Sequence, residues 1–236
     1  MNKVIVVTGG TKGIGKAVIE KFAAQNFDII TCSRHIDGLV DLQEEIQQKY
    51  SGTQLHFTKA DLSEKEQVIS FINFIKYLEK PIEVLVNNAG IFLPGQIHTE
   101  DEGVLEKTME LNVYSIYHLT RGLIHDMKAQ RSGHIFNLCS TASITPYTNG
   151  GSYCISKYAL LGFSKVLREE MKEFGIKVTS VLPGATLTAS WEGSDLPPER
   201  FMKAEDVAHI IYNSYTLSQQ AVVEEVLIRP QLGDIK

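Results

Sequence analysis

Cysteine and tryptophan are scarce in this 236-residue sequence, which contains three of the former and one of the latter. Cys32, Cys139 and Cys154 form no Cys-x-x-Cys pair, and the seven histidines form no H-E-x-x-H or similar cluster. These spacings favour reduced thiols and argue against a bound metal. The sequence therefore predicts a cytoplasmic protein without a metal site.

Long basic runs and long apolar runs are also missing. The formal net charge of -5 argues against nucleic acid or an anionic membrane as the main partner, and the longest apolar runs have the length of a strand, too short to span a bilayer. The first residues enter an apolar run directly, without the features of a signal peptide. Because neither a repeat nor a linker is visible, we predict one domain over residues 1–236.

What the sequence does contain is an alternation of apolar strand-like runs with helical patterns, which is typical of an α/β fold. We predict a Rossmann-like doubly wound parallel β-sheet with helices on both faces. Strands are expected at 4–7, 28–34, 54–58, 81–86, 134–140, 177–182 and 222–228. Helices are expected at 16–25, 37–50 and 64–78, over 104–130 with an interruption around Asn112, over 153–174 and within 199–217, with a loop at 190–198.

A glycine-rich loop, G-x-x-x-G-x-G, joins the first strand to the first helix. Glycines allow a tight turn and a close approach of the backbone to a pyrophosphate, while the N–H groups at the start of the helix favour negative charge. A tight turn without a ligand is the alternative interpretation. The candidate binding residues in this loop are Gly9, Thr11, Lys12, Gly13, Ile14 and Gly15.

Cofactor preference is predicted from the end of the second strand. In a dinucleotide fold this end meets the adenosine ribose, where an acidic residue selects NAD(H) and a basic residue pairs with the 2′-phosphate of NADP(H). The sequence has Ser33 and Arg34 there, with Lys12 close by in the glycine loop. We therefore predict NADP(H), with solvated surface cations as the alternative.

Polar residues follow two further strands. Asp61 is a candidate acceptor for an adenine amino group, or alternatively a helix cap. Asn87 and Asn88 can hydrogen-bond neighbouring loops and hold a crevice open, although capping a turn is the alternative role.

Tyr153 and Lys157 are four residues apart at the start of a helical run, so they lie on one face of the helix. An ammonium near a phenol favours the phenolate and suits the tyrosine to proton transfer. Ser140 lies thirteen residues earlier, at the carboxyl end of the fifth predicted strand, where α/β proteins bind ligands. The alternative is an ordinary helix start with a solvated lysine.

Together these motifs resemble the short-chain dehydrogenase/reductase family from end to end. The resemblance is carried by Thr8-Gly9-x-x-x-Gly13-x-Gly15, Asn87-Asn88-Ala89-Gly90, Asn112, Ser140, Tyr153-x-x-x-Lys157 and Pro183-Gly184. The order and number of these motifs make the match specific.

The resemblance implies a role for each matching residue. Tyr153 is the general acid/base, Lys157 assists it and holds the nicotinamide ribose, Ser140 orients the substrate oxygen, and Asn112 completes a proton relay through water. Asp61 and Leu62 would flank adenine, Asn88 and Ala89 would contact the adenosine-side ribose region, and Thr188 would reach the carboxamide or phosphate end. Further cofactor contacts are predicted for Gly90, Pro183, Gly184 and Thr186.

The implied activity is NADPH-dependent reduction of a small-molecule carbonyl to an alcohol. The subgroups that look most similar are 3-oxoacyl-acyl-carrier-protein reductases and bacterial sepiapterin reductases. The alternatives are an NADP(H)-binding sensor without turnover and an NAD-dependent alcohol or sugar dehydrogenase. Residues 91–93, Ile144, Tyr147, Leu187, Trp191, Leu196 and Phe201 are candidate pocket residues.

Two helical segments, 104–130 and 158–174, carry more apolar residues than one sheet can bury. The excess predicts that these helices pack against another copy of the chain, in a homodimer or homotetramer. Cys139 and Cys154 each adjoin a candidate catalytic position, but neighbours in a strand or helix point elsewhere, so we interpret both as packing residues.

Overall fold

Seven parallel strands form one sheet in the computed structural model, which describes residues 2–191, 193 and 195–235. Their order is β3-β2-β1-β4-β5-β6-β7, so consecutive strands run outward from β1 in one direction and then from β4 in the other. This arrangement confirms the predicted Rossmann-like doubly wound sheet. The strands are β1 Val4–Thr8, β2 Asp28–Ser33, β3 Leu55–Lys59, β4 Ile82–Asn87, β5 Gly133–Leu138, β6 Ile176–Pro183 and β7 Glu225–Ile228.

Helices cover both faces of the sheet. They are α1 Gly13–Ala23, α2 Asp37–Lys49, α3 Lys65–Tyr77, α4 Val104–Met109, α5 Ser115–Gln130, α6 Gly151–Met171 and α7 Ala204–Tyr215. One core cluster lies between the sheet and α3, α5 and α6, and another lies between the sheet and α1, α2 and α7. The central strand β1 illustrates why: Val4 and Val6 face the first cluster, whereas Ile5 and Val7 face the second.

The long helical run at 104–130 changes form at the predicted interruption. A π-helical turn, Glu110–Tyr114, separates α4 from α5 and contains the fully buried Asn112. A π turn holds one residue more than an α-helical frame, so the residues before and after it face different neighbours. Here α4 packs on α6, whereas α5 packs on α3.

Several predicted boundaries were wrong by a few residues. The first helix begins at Gly13, three residues before the predicted start, the strand predicted to reach Ser140 ends at Leu138, and the last strand begins at Glu225 rather than at 222. The predicted loop 190–198 includes the end of a short 3₁₀ turn, Ala189–Trp191, and a second turn, Pro198–Arg200, begins at its last residue. Proline fits there because it is the first residue of the turn. Glu192 and Ser194 lie outside the described residues.

Within the described part of the chain, none of the helices has both the length and the apolar character that crossing a membrane requires.

Candidate active site

The carboxyl ends of β1, β4, β5 and β6 meet at one edge of the sheet, and the order of the strands reverses between β1 and β4. In open α/β sheets a crevice forms outside the strands at such a reversal. The glycine loop, Asn88, Ser140 and Gly184 follow these four strand ends, Ser33, Arg34 and Asp61 follow the neighbouring β2 and β3, and Asn112, Tyr153 and Lys157 lie in helical segments.

The glycine loop after β1 is tight. Gly9 and Gly13 have φ values of +67° and +54°, a region that side chains rarely occupy. A Cβ atom on Gly15 would overlap the Gly9 carbonyl oxygen and lie 2.5 Å from Asn88 Nδ2. A Cβ atom on Gly13 would lie 3.0 Å from Thr188 Cγ2, so the glycine keeps the space between the loop and the chain after β6 open. This open cradle at the start of α1 fits the predicted diphosphate.

Thr8 and Asn88 join the glycine loop to the end of β4. Thr8 Oγ1 accepts hydrogen bonds from the backbone N–H groups of Asn88 and Ala89, both at 2.9 Å. In return, Asn88 Nδ2 donates to the carbonyl oxygens of Thr8 at 2.8 Å and Gly9 at 3.1 Å. The asparagine therefore holds two strand ends together, which supports the predicted role of keeping the crevice open. Thr8 was quoted in the sequence motif without a role, and this bonding supplies one.

A cleft of about 390 Å³ lies beside the glycine loop and the end of β2. Thr11 and Ser33 line it with their hydroxyl oxygens 3.4 Å apart, and the exposed Lys12 lines it as well. The cleft also has acidic walls, because Asp41 and Glu45 of α2 line it. A hydrogen bond of 2.6 Å from Lys16, together with Lys49, lowers the pKa of Glu45 to about 2, so this acid is paired with cations.

Arg34 is exposed and does not line this cleft, although Ser33 and His35 on either side of it do. Its charge instead acts on Asp61, at the end of β3. Burial opposes ionisation of Asp61, but hydrogen bonds from Ser63 and the nearby Arg34 guanidinium outweigh it and lower the pKa of this carboxyl. Asp61 Oδ1 accepts from the backbone N–H and the hydroxyl of Ser63 at 3.0 and 2.7 Å, which is an Asx turn rather than a helix cap. Leu62 is buried in the core, so its side chain is not available to a ligand.

Tyr153 and Lys157 share one face of α6, as predicted from their spacing. The Lys157 ammonium lies 5.7 Å from the centre of the Tyr153 ring. The side chain of Lys157 is only 6% exposed, and its Nζ donates to the carbonyl oxygen of Leu138 at 2.7 Å. The end of β5 therefore fixes this lysine beneath the tyrosine.

Asn112 lies in the π turn and connects α6 to the chain after β4. Its Oδ1 accepts from the backbone N–H of Ile91 at 2.8 Å, and its Nδ2 donates to the Ile91 carbonyl and to Ser156 Oγ, both at 3.0 Å. Gly90 allows this approach, because a Cβ atom there would lie 3.1 Å from Asn112 Oδ1 and 3.7 Å from Lys157 Nζ. Asn112 and Lys157 thus face the same glycine, although no direct hydrogen bond joins them.

Ser140 follows β5 and begins a short 3₁₀ turn, Thr141–Ser143. Its hydroxyl oxygen accepts from the backbone N–H of Ala142 at 3.1 Å, and Ser143 Oγ accepts from the Ser140 N–H at 3.2 Å. A capping bond of this kind uses a lone pair of the hydroxyl and leaves its proton available for donation.

The chain after β6 carries the remaining predicted contacts. Thr186 is buried, and its hydroxyl donates to the Gly184 carbonyl at 3.1 Å, whereas Thr188 faces Gly13. Pro183 is the last residue of β6, and a Cβ atom on Gly184 would contact Pro230 at 3.1 Å. Thr188 therefore lies at the glycine loop, and Gly184 lies under the C-terminal segment.

Two aromatic residues, Phe92 and Tyr147, lie near Tyr153. The Phe92 ring meets it edge to face with centroids 4.9 Å apart, and burial, together with the nearness of Tyr153, raises the pKa of Tyr147. Both residues are partly exposed and were predicted to line the pocket. Leu187 and Leu196 are also exposed, but Phe201 is 8% exposed, and its ring meets that of Trp191 at a tilt with centroids 4.9 Å apart. The Phe201 side chain is therefore buried by packing rather than open to a pocket.

The three cysteines are free and buried. Burial raises the pKa of Cys32 to about 12 and that of Cys139 to about 11. Both thiols are thus protonated at neutral pH, which supports the packing role predicted for Cys139. Among the described residues, no three His, Cys, Asp or Glu side chains are grouped to hold a metal ion. The polar groups available at the site are the phenol, the ammonium, a hydroxyl and amides.

Comparison with known proteins shows the family and supports the fold. Residues 3–196 match the family described as short chain dehydrogenase. A sepiapterin reductase of Chlorobaculum tepidum is 30% identical over 100% of this chain and 99% of its own length. A crystal structure of a metagenomic short-chain oxidoreductase in complex with NADP is similar with a TM-score of 0.84 and 28% identity, over 97% of each chain. L-Sorbose reductase of Gluconobacter frateurii, complexed with NADPH and L-sorbose, gives a TM-score of 0.89 and 26% identity over 97% of this chain and 95% of its own.

Proposed function

The chain belongs to the short-chain dehydrogenase family, and from that membership we propose that it is a single-domain NADP(H)-dependent enzyme that reduces a small-molecule ketone to an alcohol. The observation that carries the proposal is the placement of Lys157, buried and fixed by the Leu138 carbonyl, beneath the ring of Tyr153 at the carboxyl edge of the sheet. Burying an ammonium costs free energy unless its partners offset the lost hydration. Buried charged groups of this kind are therefore found mainly at functional sites.

The cofactor proposal is supported by the glycine cradle and the cleft. The backbone at Gly9, Gly13 and Ile14 would hold the diphosphate, Ser33, Arg34 and Lys12 the 2′-phosphate, and Asp61 the adenine. Similar chains, the metagenomic oxidoreductase and L-sorbose reductase, have structures with NADP or NADPH. When bound, the nicotinamide supplies the hydride.

The residues of this chain would supply the proton and stabilise charge. Tyr153 donates its phenolic proton to the carbonyl oxygen, while the Ser140 hydroxyl donates a second hydrogen bond to the same oxygen. The Lys157 ammonium beside the ring stabilises the phenolate that remains. Asn112 holds the Ile91 backbone in place, and we propose that a water near Gly90 links it to Lys157 so that the proton is replaced.

The substrate we propose is a ketone with apolar flanks, of the 3-oxoacyl or sepiapterin side-chain type. The partly exposed Phe92 and Tyr147 beside Tyr153 would border the substrate. The similarity to a sepiapterin reductase over the whole chain supports a substrate of the sepiapterin side-chain type. The test is NADPH oxidation with diketones, acetoacetyl thioesters and a pterin side-chain ketone. Tight NADPH binding without turnover of any of them would favour a sensor, and faster turnover with NADH would favour an NAD-dependent alcohol or sugar dehydrogenase.

Replacing Arg34 with Ala is expected to raise KM for NADPH by about 10- to 100-fold and to leave KM for NADH unchanged, because a charged hydrogen bond is worth about 1.5–3 kcal/mol. Steady-state kinetics with both cofactors measure this selectivity. Lys76→Ala, which removes a cation of α3, is the matched control and is expected to change neither value. Equal losses with the two cofactors would contradict a 2′-phosphate contact.

We also propose that copies of this chain associate through α5 and α6, as a homodimer or homotetramer. Five large apolar residues on the outer face of these helices are each between 40% and 58% exposed to solvent. They are Tyr114, which directly precedes α5, Tyr117, Ile155, Tyr158 and Val166. A Cβ atom on Gly162, on the same helix, would meet nothing within 4 Å, which leaves room for a close helix contact.

Val166→Glu is expected to dissociate the oligomer, since burying an unpaired carboxylate in an apolar contact is costly. Sedimentation velocity measures the mass of the species in solution. The control is Ile69→Glu, at a residue of α3 that is 45% exposed and lies away from this face. A wild-type monomer, or an unchanged mass for Val166→Glu, would contradict the proposed contact.

A further inference from the structure

We propose that Glu100 is a positioning residue for Tyr153, and this inference rests on the proposed carbonyl reduction. Glu100 lies in the chain between β4 and α4, and its carboxylate reaches the first turn of α6. Oε1 accepts from the backbone N–H of Ser152 at 2.9 Å, and Oε2 accepts from the Ser152 hydroxyl. Ser152 is buried and directly precedes Tyr153 in the helix.

The N-terminus of α6 lacks a side-chain cap from its own segment, because the residue before it is Gly150. The first N–H groups of a helix have no partner within the helix and carry partial positive charge. Glu100 supplies the missing acceptor from a segment fifty residues earlier in the chain, with a negative charge that the helix end favours. The start of the helix is therefore fixed by an outside group.

Two glycines make room for this carboxylate. A Cβ atom on Gly151 would overlap Glu100 Oε1, and a Cβ atom on Gly95 would lie 2.5 Å from Glu100 Cγ. A Cβ atom on Gly151 would also lie 2.8 Å from the Gly95 carbonyl oxygen, so the backbones of the two segments themselves approach closely there. A side chain at Gly151 would therefore displace either the Glu100 carboxylate or the loop that carries Gly95.

Further hydrogen bonds attach the same loop on both sides of Phe92. Before it, Ile91 is held by Asn112 through its N–H and its carbonyl. After it, the Gly95 N–H donates to the Asn149 carbonyl at 3.0 Å, and Gln96 Nε2 donates to Asn149 Oδ1 at 2.9 Å. Phe92 lies between these attachments with its ring against Tyr153, so the loop and the helix together fix the position of the phenol.

The consequence is that loss of the Glu100 carboxylate loosens the first turn of α6 and misplaces the Tyr153 hydroxyl. A misplacement of about 1 Å in an active site can cost about 100-fold in rate. The effect falls on the chemical step rather than on NADPH binding, because the glycine loop and the end of β2 do not contact Glu100. The Gln variant keeps the shape but loses the charge, so its effect is expected to be intermediate.

The experiment compares Glu100→Gln and Glu100→Ala with wild type, and uses Glu102→Ala, at an exposed residue of the same segment, as the control. Amide hydrogen exchange at Ser152, kcat and KM for the ketone, and Kd for NADPH are measured. For Glu100→Ala we expect exchange at Ser152 to rise at least about 10-fold, kcat to fall about 10- to 100-fold, and Kd for NADPH to stay within about 2-fold. The control is expected to match wild type.

Unchanged exchange at Ser152 would overturn the contact itself. Faster exchange with unchanged kcat would overturn the positioning role, because Glu100 would then be a helix cap alone. A parallel loss of kcat and NADPH binding would overturn it as well, since that result indicates general disruption. If the wild-type protein reduced no ketone, the proposed reaction would fail, and the contact of Glu100 with α6 would still be decided by the exchange measurement.

Discussion

Tyr153→Phe is expected to lower kcat for ketone reduction by about 100- to 10,000-fold, the range that a positioned general acid contributes. The substitution removes one hydroxyl and leaves the ring that meets Phe92 edge to face, so the fold and the aromatic contact persist. NADPH binding is expected to change little, because the contacts proposed for the diphosphate and the adenosine half are at other strand ends. Single-turnover reduction, followed by the absorbance of NADPH, isolates the chemical step.

A matched hydroxyl deletion in the same helix provides the control for Tyr153→Phe. Tyr158 is 44% exposed and lies on the outer face of α6, so Tyr158→Phe is expected to retain wild-type kcat. Equal rates for wild type and Tyr153→Phe would reject Tyr153 as the proton donor. If Tyr153→Phe lost NADPH binding as well as kcat, the result would indicate that the phenol holds the cofactor and would argue against its role as a general acid.

Gly15→Ala is expected to damage both the fold and the cofactor site. The new methyl group would overlap the Gly9 carbonyl oxygen and crowd Asn88 Nδ2, which itself donates to that oxygen. Gly9 cannot move away easily, because its positive φ and the Thr8–Asn88 bonds fix the turn. We expect the free energy of unfolding to fall by about 1–3 kcal/mol, as for other overpacked sites.

Urea unfolding measures the stability change for Gly15→Ala, and NADPH titration below the unfolding transition measures the cofactor site. Binding is expected to weaken by about 10-fold or more, since the displaced loop would no longer place its N–H groups together. The control for the stability measurement alone is Gly38→Ala in α2, where a Cβ atom would meet Thr11 at an ordinary 3.6 Å, since Gly38 also lines the cleft beside Ser33. Alanine at position 38 is expected to raise the free energy of unfolding by as much as about 1 kcal/mol. A Gly15→Ala protein as stable as Gly38→Ala would contradict the tight loop.

The sequence was informative where a short stretch determines its own structure. The alternation of strands and helices predicted the sheet, and the spacing of Tyr153 and Lys157 predicted their common face, because both depend on local periodicity. The interruption around Asn112 was also predicted, and the structure shows it as a π turn. The roles assigned to these residues in catalysis and cofactor binding stay predictions.

The predictions were wrong where contacts between distant parts of the chain determine the local structure. Gly13 and Gly15 have low helix propensity, so the sequence pattern placed the start of α1 later than the packed structure does. Ser140 was assigned to a strand, but its capping bonds begin a 3₁₀ turn. Leu62 gave no sign that its side chain lies in the core, and the contact between Glu100 and Ser152 spans fifty residues without a local motif. Contacts between residues so far apart in the sequence can be identified only in the folded structure.

The π turn at Asn112 also has a consequence for changes in chain length. It advances the helical frame, so the segments on either side present different residues to their neighbours, α4 to α6 and α5 to α3. Deleting one residue within Glu110–Tyr114 would remove the extra residue of the π turn and restore a regular helix, so α4 and α5 would keep their neighbours, but the turn that presents Asn112 to Ile91 would be lost. Deleting one residue within α5 would instead rotate all residues beyond the deletion by about 100° about the helix axis and turn its buried face away from α3. This helix therefore accommodates a change of length at one turn only, and there it loses the asparagine contact.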